Sequence, residues 1–385
     1  MSADFVKMIS DWNSRRLLRL MQNLVDVKEP CAIFFAPNVI SNARDVVDML
    51  KRGGINVNVI CVLDEHRNSF RAAQGEKLVS VEEFAELPVK PKFVFTMSGF
   101  FAQTFMDYFA RFGTQMITST NANMAEGIYN RYLNSLPELY AVHEMFADDE
   151  SKKVFRAYLN GTLSFLLQDF RFAPEPQYFL SGFLPGEGDI AIDGGSYDGA
   201  NAVDFVRQGA KVFAFEMDAA NCQNCLPRAE KFGFTVENLG LSNQAGEAFY
   251  SAEEMSSRKV ADGTEGARVG NFIDLDSYVE LKNLPRVDYI KLDIEGAELD
   301  ALHGAAKTIT RWKPKMAICA YHKREDLWTL PTYIKSLRPD YEFQFRHYKI
   351  DCTDYIFNDA GRAILRNLGL NYLCPSECEA VLYCR

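Results

Sequence analysis

The chain has 385 residues, of which 48% are hydrophobic and 24% charged, so it is long enough for about two or three domains that each bury a core. Its net charge of -10 disfavours nucleic acids and anionic membranes as partners, because both carry negative charge. No apolar run reaches the roughly 18 residues of a membrane span. Charged residues near the N-terminus, such as Asp4 and Asp11, interrupt any signal-peptide core. Nine scattered cysteines indicate free thiols, and we therefore expect a cytoplasmic protein.

The first third of the chain predicts a helix followed by a small α/β domain. Apolar residues recur at helical spacing over residues 1–28, and Pro30 ends that pattern. Strands and helices then alternate over residues 29–120, which predicts a parallel sheet covered by helices and thus a Rossmann-like domain. The predicted strands are Cys31–Ala36, Val57–Leu63, Phe93–Met97 and Met116–Thr118, and the predicted helices end near Lys51 and span Phe101–Phe112.

The N-terminal domain gives few signs of a ligand site. Its first turn, Pro37–Ser41, lacks the glycine that a phosphate cradle needs, which favours a role as a scaffold or in homo-oligomer formation. A role in holding a sugar nucleotide or the acceptor is the alternative. Asp64, after the second strand, is placed to contact a ribose or to cap a helix. Residues 121–172 predict a helical linker, and glycines and prolines over residues 173–187 indicate a loop before a second α/β domain over 173–385.

The strongest local signal is the segment Asp189–Gly199, where an apolar strand ends at Asp193 and enters a glycine-rich turn before a helix. The next strand ends at Glu216, and a carboxylate at that position can accept hydrogen bonds from ribose hydroxyls. A dinucleotide site needs Gly-x-Gly-x-x-Gly with pyrophosphate at the helix N-terminus. Here Ser196 takes the place of the middle glycine, and Asp198 would repel a phosphate. The segment therefore favours a phosphate-free, cationic ligand, with a tight strand-to-helix turn as the simpler alternative.

A second acidic turn follows the strand that leads to Asp293. Asp293 and Glu295 lie near its tip, where they could orient a hydroxyl, take its proton or hold a divalent cation; we favour the first two roles. We interpret Glu298 as a first-turn helix acid. A neighbouring strand predicts His322 at its tip, where a catalytic and a structural role are equally compatible with the sequence.

Two further sets of residues are weaker candidates. Arg346 and His347 could bind a polar substrate, although polar residues on a strand surface are the simpler interpretation. Cys222 and Cys225 form a Cys-x-x-Cys without a second pair at zinc-finger spacing, so packed thiols are favoured over zinc. We therefore predict no metal site, with a divalent ion as the less favoured alternative.

Taken together, these motifs make the sequence resemble the FkbM family of methyltransferases. The resemblance covers roughly residues 175–385 and depends most on the segment Lys291–Glu298, with support from the Asp193–Gly199 turn, Ala214–Glu216, Tyr321-His322 and Glu379–Tyr383. Ser196 and Met217 depart from the family's usual alanine and proline. The region around Tyr178 resembles the longer members that carry an N-terminal Rossmann-like domain.

The resemblance implies a Rossmann-like methyltransferase fold with a mostly parallel seven-stranded sheet, S-adenosylmethionine as cofactor, and O-methylation of a sugar or another hydroxyl-bearing small molecule or glycan. We then expect His322, Asp293 and Glu295 to be catalytic and Tyr178, Arg346 and His347 to bind the acceptor. The expected cofactor-binding residues are Asp193, Gly194, Gly195, Ser196, Tyr197, Glu216, Met217 and Asp293. A nicotinamide-dependent oxidoreductase and a non-catalytic cofactor-binding scaffold remain as alternatives.

Overall fold

The computed structural model describes residues 2–10, 29–35, 43–63, 72–73, 75–96, 105, 108–118, 122–164, 169–253, 256–261, 264, 266–349, 366 and 378–385. The chain divides into two compact units. The first comprises Met1–Pro137, Arg156–Phe172 and Lys349–Cys378, and the second comprises Glu138–Phe155, Ala173–Tyr348 and Glu379–Arg385. Residues 11–28, the turn Pro37–Ser41 and Asp64 lie outside the described residues. None of the described helices is long and apolar enough to cross a membrane.

The first unit is built on a five-stranded sheet in the order β3-β2-β1-β4-β5, and every neighbouring pair is parallel. Its elements up to the last strand are α1 (Ala3–Ser10), β1 (Cys31–Phe35), α2 (Ala43–Arg52), β2 (Val57–Val62), β3 (Lys77–Ser80), α3 (Val81–Ala85), β4 (Phe93–Thr96) and β5 (Gln115–Thr118). Helix α4 (Ala122–Asn134) follows in this unit, whereas α5 (Leu136–Met145) belongs to the second unit from Glu138 onward, and α6 (Asp149–Ser164) belongs to the first unit only from Arg156 onward.

The apolar strand β1 explains why this sheet could be predicted. Ala32 and Phe34 pack into one buried cluster, and Cys31, Ile33 and Phe35 pack into another. Both faces of the strand are therefore covered, and its sequence is a continuous apolar run. The edge strand β3 was not predicted, because only its last two residues are buried and Ser80 at once begins α3 with a capping box to Glu83.

The second unit contains a seven-stranded mixed sheet in the order β15-β16-β14-β13-β6-β7-β8. The neighbouring pairs β14–β13, β13–β6, β6–β7 and β7–β8 are parallel. Strand β16 runs antiparallel to both β14 and β15. Its strands are β6 (Ile190–Gly194), β7 (Lys211–Phe215), β8 (Thr235–Glu237), β13 (Tyr289–Leu292), β14 (Lys315–Cys319), β15 (Phe343–His347) and β16 (Ala380–Cys384). Helices connect them: α7 (Ala200–Arg207), α8 (Ala219–Phe232), α9 (Leu275–Leu281), α10 (Glu298–His303), α11 (Ala306–Trp312) and α12 (Asp326–Leu337).

A second, four-stranded sheet in this unit was not predicted. Its order is β11-β10-β12-β9, and its strands are β9 (Gly240–Leu241), β10 (Gly246–Glu253), β11 (Ser256–Lys259) and β12 (Arg268–Ile273). Strand β12 is largely exposed, so its sequence lacks the apolar run that marks the strands of the large sheet. This small sheet matters because β9 and β12 contribute to the wall of the cavity described next.

Candidate active site

A cavity opens to solvent at the carboxyl ends of β6, β7 and β13 in the second unit. This is the edge of a parallel sheet at which ligands bind in open α/β folds. The residues that line it are Gly195, Tyr197, Phe215, Glu216, Met217, Asn221, Leu239, Gly240, Leu241, Phe272, Asp293, Ile294, Glu295 and Ala297. Among the predicted site residues, Gly195, Tyr197, Glu216, Met217, Asp293 and Glu295 are thus brought together.

The glycine turn after β6 packs tightly against both neighbouring strands. The backbone N–H groups of Gly195 and Ser196 both donate to the carbonyl of Phe215, at 3.0 and 3.1 Å. Gly195 has a φ of +75°, and a Cβ added there would lie 1.7 Å from the backbone oxygen of Asp293. A residue without a side chain is therefore required at this position.

Beneath this turn lies a buried ion pair between Lys291 and Asp193. The Lys291 Nζ is 3.0 Å from Asp193 Oδ1, and the two side chains are 1% and 0% exposed. The same ammonium donates to the carbonyls of Gly194 and Gly195, at 3.1 and 2.6 Å. Asp193, which we expected to contact the cofactor, does not line the cavity; its carboxylate instead holds the lysine that supports the turn.

Glu216 presents a buried carboxylate to the cavity from the end of β7. Its two oxygens accept hydrogen bonds from the backbone N–H groups of Tyr197 and Asp218, each at 2.8 Å. Burial raises the pKa of Glu216 to about 6, although the two backbone hydrogen bonds and the charge of Lys291 oppose that shift. Each carboxylate oxygen retains a second lone pair, so Glu216 can still accept hydrogen bonds from a ligand.

The acids after β13 face His322. The imidazole Nε2 lies 3.5 Å from both Asp293 Oδ1 and Glu295 Oε2, and its Nδ1 lies 2.8 Å from Glu298 Oε1. Glu295 has a φ of +57°, a backbone conformation that non-glycine residues rarely adopt and that is often found at functional sites. The sequence predicted the proximity of His322 to Asp293 and Glu295, but it did not indicate the contact with Glu298.

The charges around His322 determine its protonation. Burial would lower the pKa of His322, but Glu298, Asp293 and Glu295 raise it to about 10. Burial would raise the pKa of Asp293, but the charges of Lys291 and His322 and a hydrogen bond from Tyr178 keep it below its usual value. Both shifts favour an imidazolium beside an ionised Asp293 at neutral pH.

The remaining predicted cofactor-binding residues do not line the cavity. Gly194 lies within β6, and Ser196 is only 4% exposed. Tyr178, expected to bind the acceptor, is buried and donates from its hydroxyl to Asp293 Oδ2 at 2.8 Å, so it acts on the site through that carboxylate.

The other two expected acceptor-binding residues also lie away from the cavity. The guanidinium of Arg346 is 9% exposed and donates to the Ser151 hydroxyl at 2.7 Å, to the Phe345 carbonyl at 2.9 Å and to the Gln344 amide oxygen at 3.1 Å. His347 is completely buried in β15. The structure thus gives both residues internal positions.

Several cavity residues were missed by sequence reasoning. Leu241 and Phe272 belong to the small sheet, whose strands carry no strong sequence pattern. Lys291 does not line the cavity but supports the turn, and its role could have been predicted because a lysine inside an apolar strand requires a buried acid partner. The thiol of Cys225 donates to the Tyr197 carbonyl at 2.9 Å, as a packed side chain. Among the described residues no group of three or more histidine, cysteine, aspartate or glutamate side chains is arranged to hold a metal ion.

This part of the chain is similar to known methyltransferases. Residues 193–351 match the family model described as the methyltransferase FkbM domain. The hexuronic acid methyltransferase AglP of Haloferax volcanii is 30% identical over 128 residues, which cover 32% of this chain and 52% of that protein. The matched region therefore spans about half the length of this curated relative.

A solved structure resembles nearly the whole chain. The crystal structure of methyltransferase FkbM from Methylobacillus flagellatus KT has a TM-score of 0.62 and is 21% identical, with 92% of this chain and 90% of that chain covered. This likeness establishes the α/β methyltransferase fold. The family match covers the glycine turn, both acidic strand ends and His322, and residues 193–351 of this chain are therefore a methyltransferase FkbM domain.

Proposed function

We propose that this protein transfers a methyl group from S-adenosylmethionine to a hydroxyl of a sugar or of another hydroxyl-bearing small molecule or glycan. The observation that carries the proposal is the charge of the cavity: Glu216, Asp293 and Glu295 line it, and no lysine or arginine is found among the described residues of its lining. Such a wall suits a ligand that combines ribose hydroxyls with a positive sulfonium.

The residues present fit this donor. Glu216 would accept the ribose hydroxyls, and the close packing at Gly195 leaves the turn without a side chain that would block the ligand. Phe215, Leu241 and Phe272 offer an apolar surface for the base. A nicotinamide dinucleotide fits less well, because its pyrophosphate would face carboxylates, and the part of the wall that the structure describes offers no lysine or arginine.

When bound, S-adenosylmethionine supplies an electrophilic methyl group and leaves as a neutral thioether, so no protein acid has to assist its departure. Asp293 is placed to take the proton of the attacking hydroxyl, because it is ionised and its side chain keeps 26% of its surface exposed. A hydroxyl oxygen that gains a methyl group becomes strongly acidic, so even a carboxylate with a lowered pKa accepts its proton and releases it to solvent. The main contribution of the site is alignment, which can remove about 7–11 kcal/mol from a barrier.

The comparisons support the proposed acceptor class. The relative from Haloferax volcanii is named for a hexuronic acid, and this name supports a sugar as the acceptor here. The scattered cysteines of the whole chain favour a cytoplasmic protein, and the glycine-free turn Pro37–Ser41 favours a role for the first unit as a scaffold or in homo-oligomer formation. Light scattering of the full chain tests whether the protein forms homo-oligomers, and a monomer at all concentrations would contradict this role.

A labelled-methyl assay tests the proposed activity. Wild type, Asp293→Asn and Asp300→Asn are incubated with labelled S-adenosylmethionine and a panel of hexoses, uronic acids and oligosaccharides. We expect transfer by wild type and Asp300→Asn, and a loss of about 10²–10⁴-fold in Asp293→Asn with donor affinity retained. Equal rates in all three proteins would refute the role of Asp293.

Donor binding separates the competing functions. Thermal shift with S-adenosylhomocysteine and with NADH should show stabilisation by the former alone. Stabilisation by NADH alone would indicate an oxidoreductase, and donor binding without transfer to any acceptor would indicate a scaffold.

A further inference from the structure

Glu298 is more deeply buried than an acid in the first turn of a helix needs to be. It begins α10, yet its side chain is completely buried. Its Oε1 accepts a hydrogen bond from the Ile294 N–H at 2.9 Å and lies 2.8 Å from His322 Nδ1. The backbone contact fixes the carboxylate, and the carboxylate in turn fixes the imidazole ring.

The orientation of His322 follows from this contact. A carboxylate oxygen can only accept, so Nδ1 must carry a hydrogen. The opposite nitrogen, Nε2, faces the carboxylates of Asp293 and Glu295 at 3.5 Å, and these also favour an N–H. Hydrogens on both nitrogens make the ring an imidazolium, which is a cation placed between three acids.

Other charged groups near His322 come from α12 and the loop before it. Asp326 is buried at the start of α12, and its Oδ2 accepts from the Lys323 N–H at 3.0 Å, which braces the segment that carries His322. Burial and Glu298 raise the pKa of Asp326 to about 7, whereas Lys323 and His322 oppose that shift. Glu298 remains the group that contacts the ring directly.

We infer that Glu298 is a positioning residue for methyl transfer: it holds His322 as a cation whose Nε2 lies within ion-pair distance of Asp293 and Glu295, so that Asp293, not His322, takes the acceptor's proton. This role rests on the proposed function. It differs from the helix-acid role expected from the sequence, because the carboxylate acts on the reacting groups through a histidine that follows a different strand.

The protonation of His322 tests this inference without cofactor or acceptor. Ring nitrogens of ¹⁵N-histidine-labelled protein are observed by NMR across pH 6–9 in wild type, Glu298→Gln and Asp300→Asn, with His322→Gln to assign the signal. Asp300 lies on the same helix, so Asp300→Asn removes an equal charge without touching the ring. We expect an imidazolium throughout in wild type and Asp300→Asn, and a titration midpoint below about 8 in Glu298→Gln. A neutral His322 at pH 8 in wild type, or an unchanged titration in Glu298→Gln, would overturn the inference.

Turnover provides the second readout. Glu298→Gln should lower kcat by about tenfold or more with donor affinity within about twofold of wild type, and the pH–rate profile should change shape only in this variant. An unchanged kcat and profile in a folded Glu298→Gln protein would also overturn it. If no acceptor is methylated by wild type, the proposed function fails, while the NMR titration still decides the state of the ring.

Discussion

Lys291 and Asp193 face each other from the neighbouring strands β13 and β6, with Nζ 3.0 Å from Oδ1 and both side chains excluded from solvent. Burial would lower the pKa of Lys291, but the charges of Asp193 and Asp293 raise it, so the lysine remains a cation. The ammonium also binds two carbonyls of the glycine turn. The pair therefore contributes both to the stability of the sheet and to the shape of the turn that borders the cavity.

Replacing this lysine should destabilise the protein strongly. Lys291→Met leaves the Asp193 carboxylate buried without its cation, which costs about 3–5 kcal/mol. Urea unfolding followed by circular dichroism measures the change. Lys282→Met is the matched control, because that lysine pairs with Glu237 at 2.7 Å but is 39% exposed, and its loss should cost about 1 kcal/mol or less. Equal losses in the two variants would contradict the structural role of Lys291.

Two glycines with left-handed backbone differ in the space around them. Gly195→Ala would place a methyl group against the Asp293 carbonyl, so we expect it to abolish donor binding or to prevent folding. Gly233→Ala has a similar φ of +80° with nothing within 4 Å, and should cost only about 1 kcal/mol. Calorimetric titration with S-adenosylhomocysteine and thermal unfolding separate the two. Wild-type affinity in Gly195→Ala would show that the turn is not part of the site.

Donor affinity should depend on the ionisation of Glu216. Because burial raises its pKa to about 6, this carboxylate is protonated below that pH and becomes a poorer acceptor for two hydroxyls. The Kd for S-adenosylhomocysteine should therefore rise as pH falls through about 6, by up to about tenfold per pH unit. Titrations between pH 5 and 8 measure this, and Glu216→Gln should bind weakly with a flat profile. A wild-type Kd that does not change with pH would argue against Glu216 as the ribose acceptor.

Tyr178 should influence turnover through Asp293. Tyr178→Phe removes the hydrogen bond to Oδ2, which raises the pKa of Asp293 and shifts the acidic limb of the pH–rate profile upward. Because the carboxylate also loses the contact that orients it, we expect kcat to fall by about tenfold with little change in donor affinity. Tyr341→Phe is the control, since the Tyr341 hydroxyl is also buried but binds the Pro314 carbonyl at 2.8 Å. If both variants shift the profile alike, the effect arises from general destabilisation.

The sequence predicted most of the residues at the strand tips, but few of the buried residues that contact them. Glycines and acids that follow apolar strands must lie at one edge of a parallel sheet, which placed Gly195, Glu216 and Asp293 correctly at the cavity. Arg346 could not be placed in this way, because its partner Ser151 lies almost 200 residues earlier and no local pattern records that contact. Glu298 looked like an ordinary first-turn acid for the same reason. Lys291 and Asp193 alternate with apolar neighbours inside strands, and only the register of the two strands shows that they pair.

The antiparallel strand β16 has a consequence for the order in which the protein folds. It lies between β14 and β15, and its Tyr383 hydroxyl accepts from the Tyr178 N–H at 3.0 Å. Contacts between residues so far apart in sequence form slowly, since a long loop must close first. The contact between Tyr178 and Tyr383, which are 205 residues apart in sequence, should therefore form later in refolding than the strand pairs of the sheet, and the hydrogen bond from Tyr178 to Asp293 should form with it. Pulse-labelling hydrogen exchange can detect this order, and simultaneous protection of the Tyr178 amide and of β6 would exclude it.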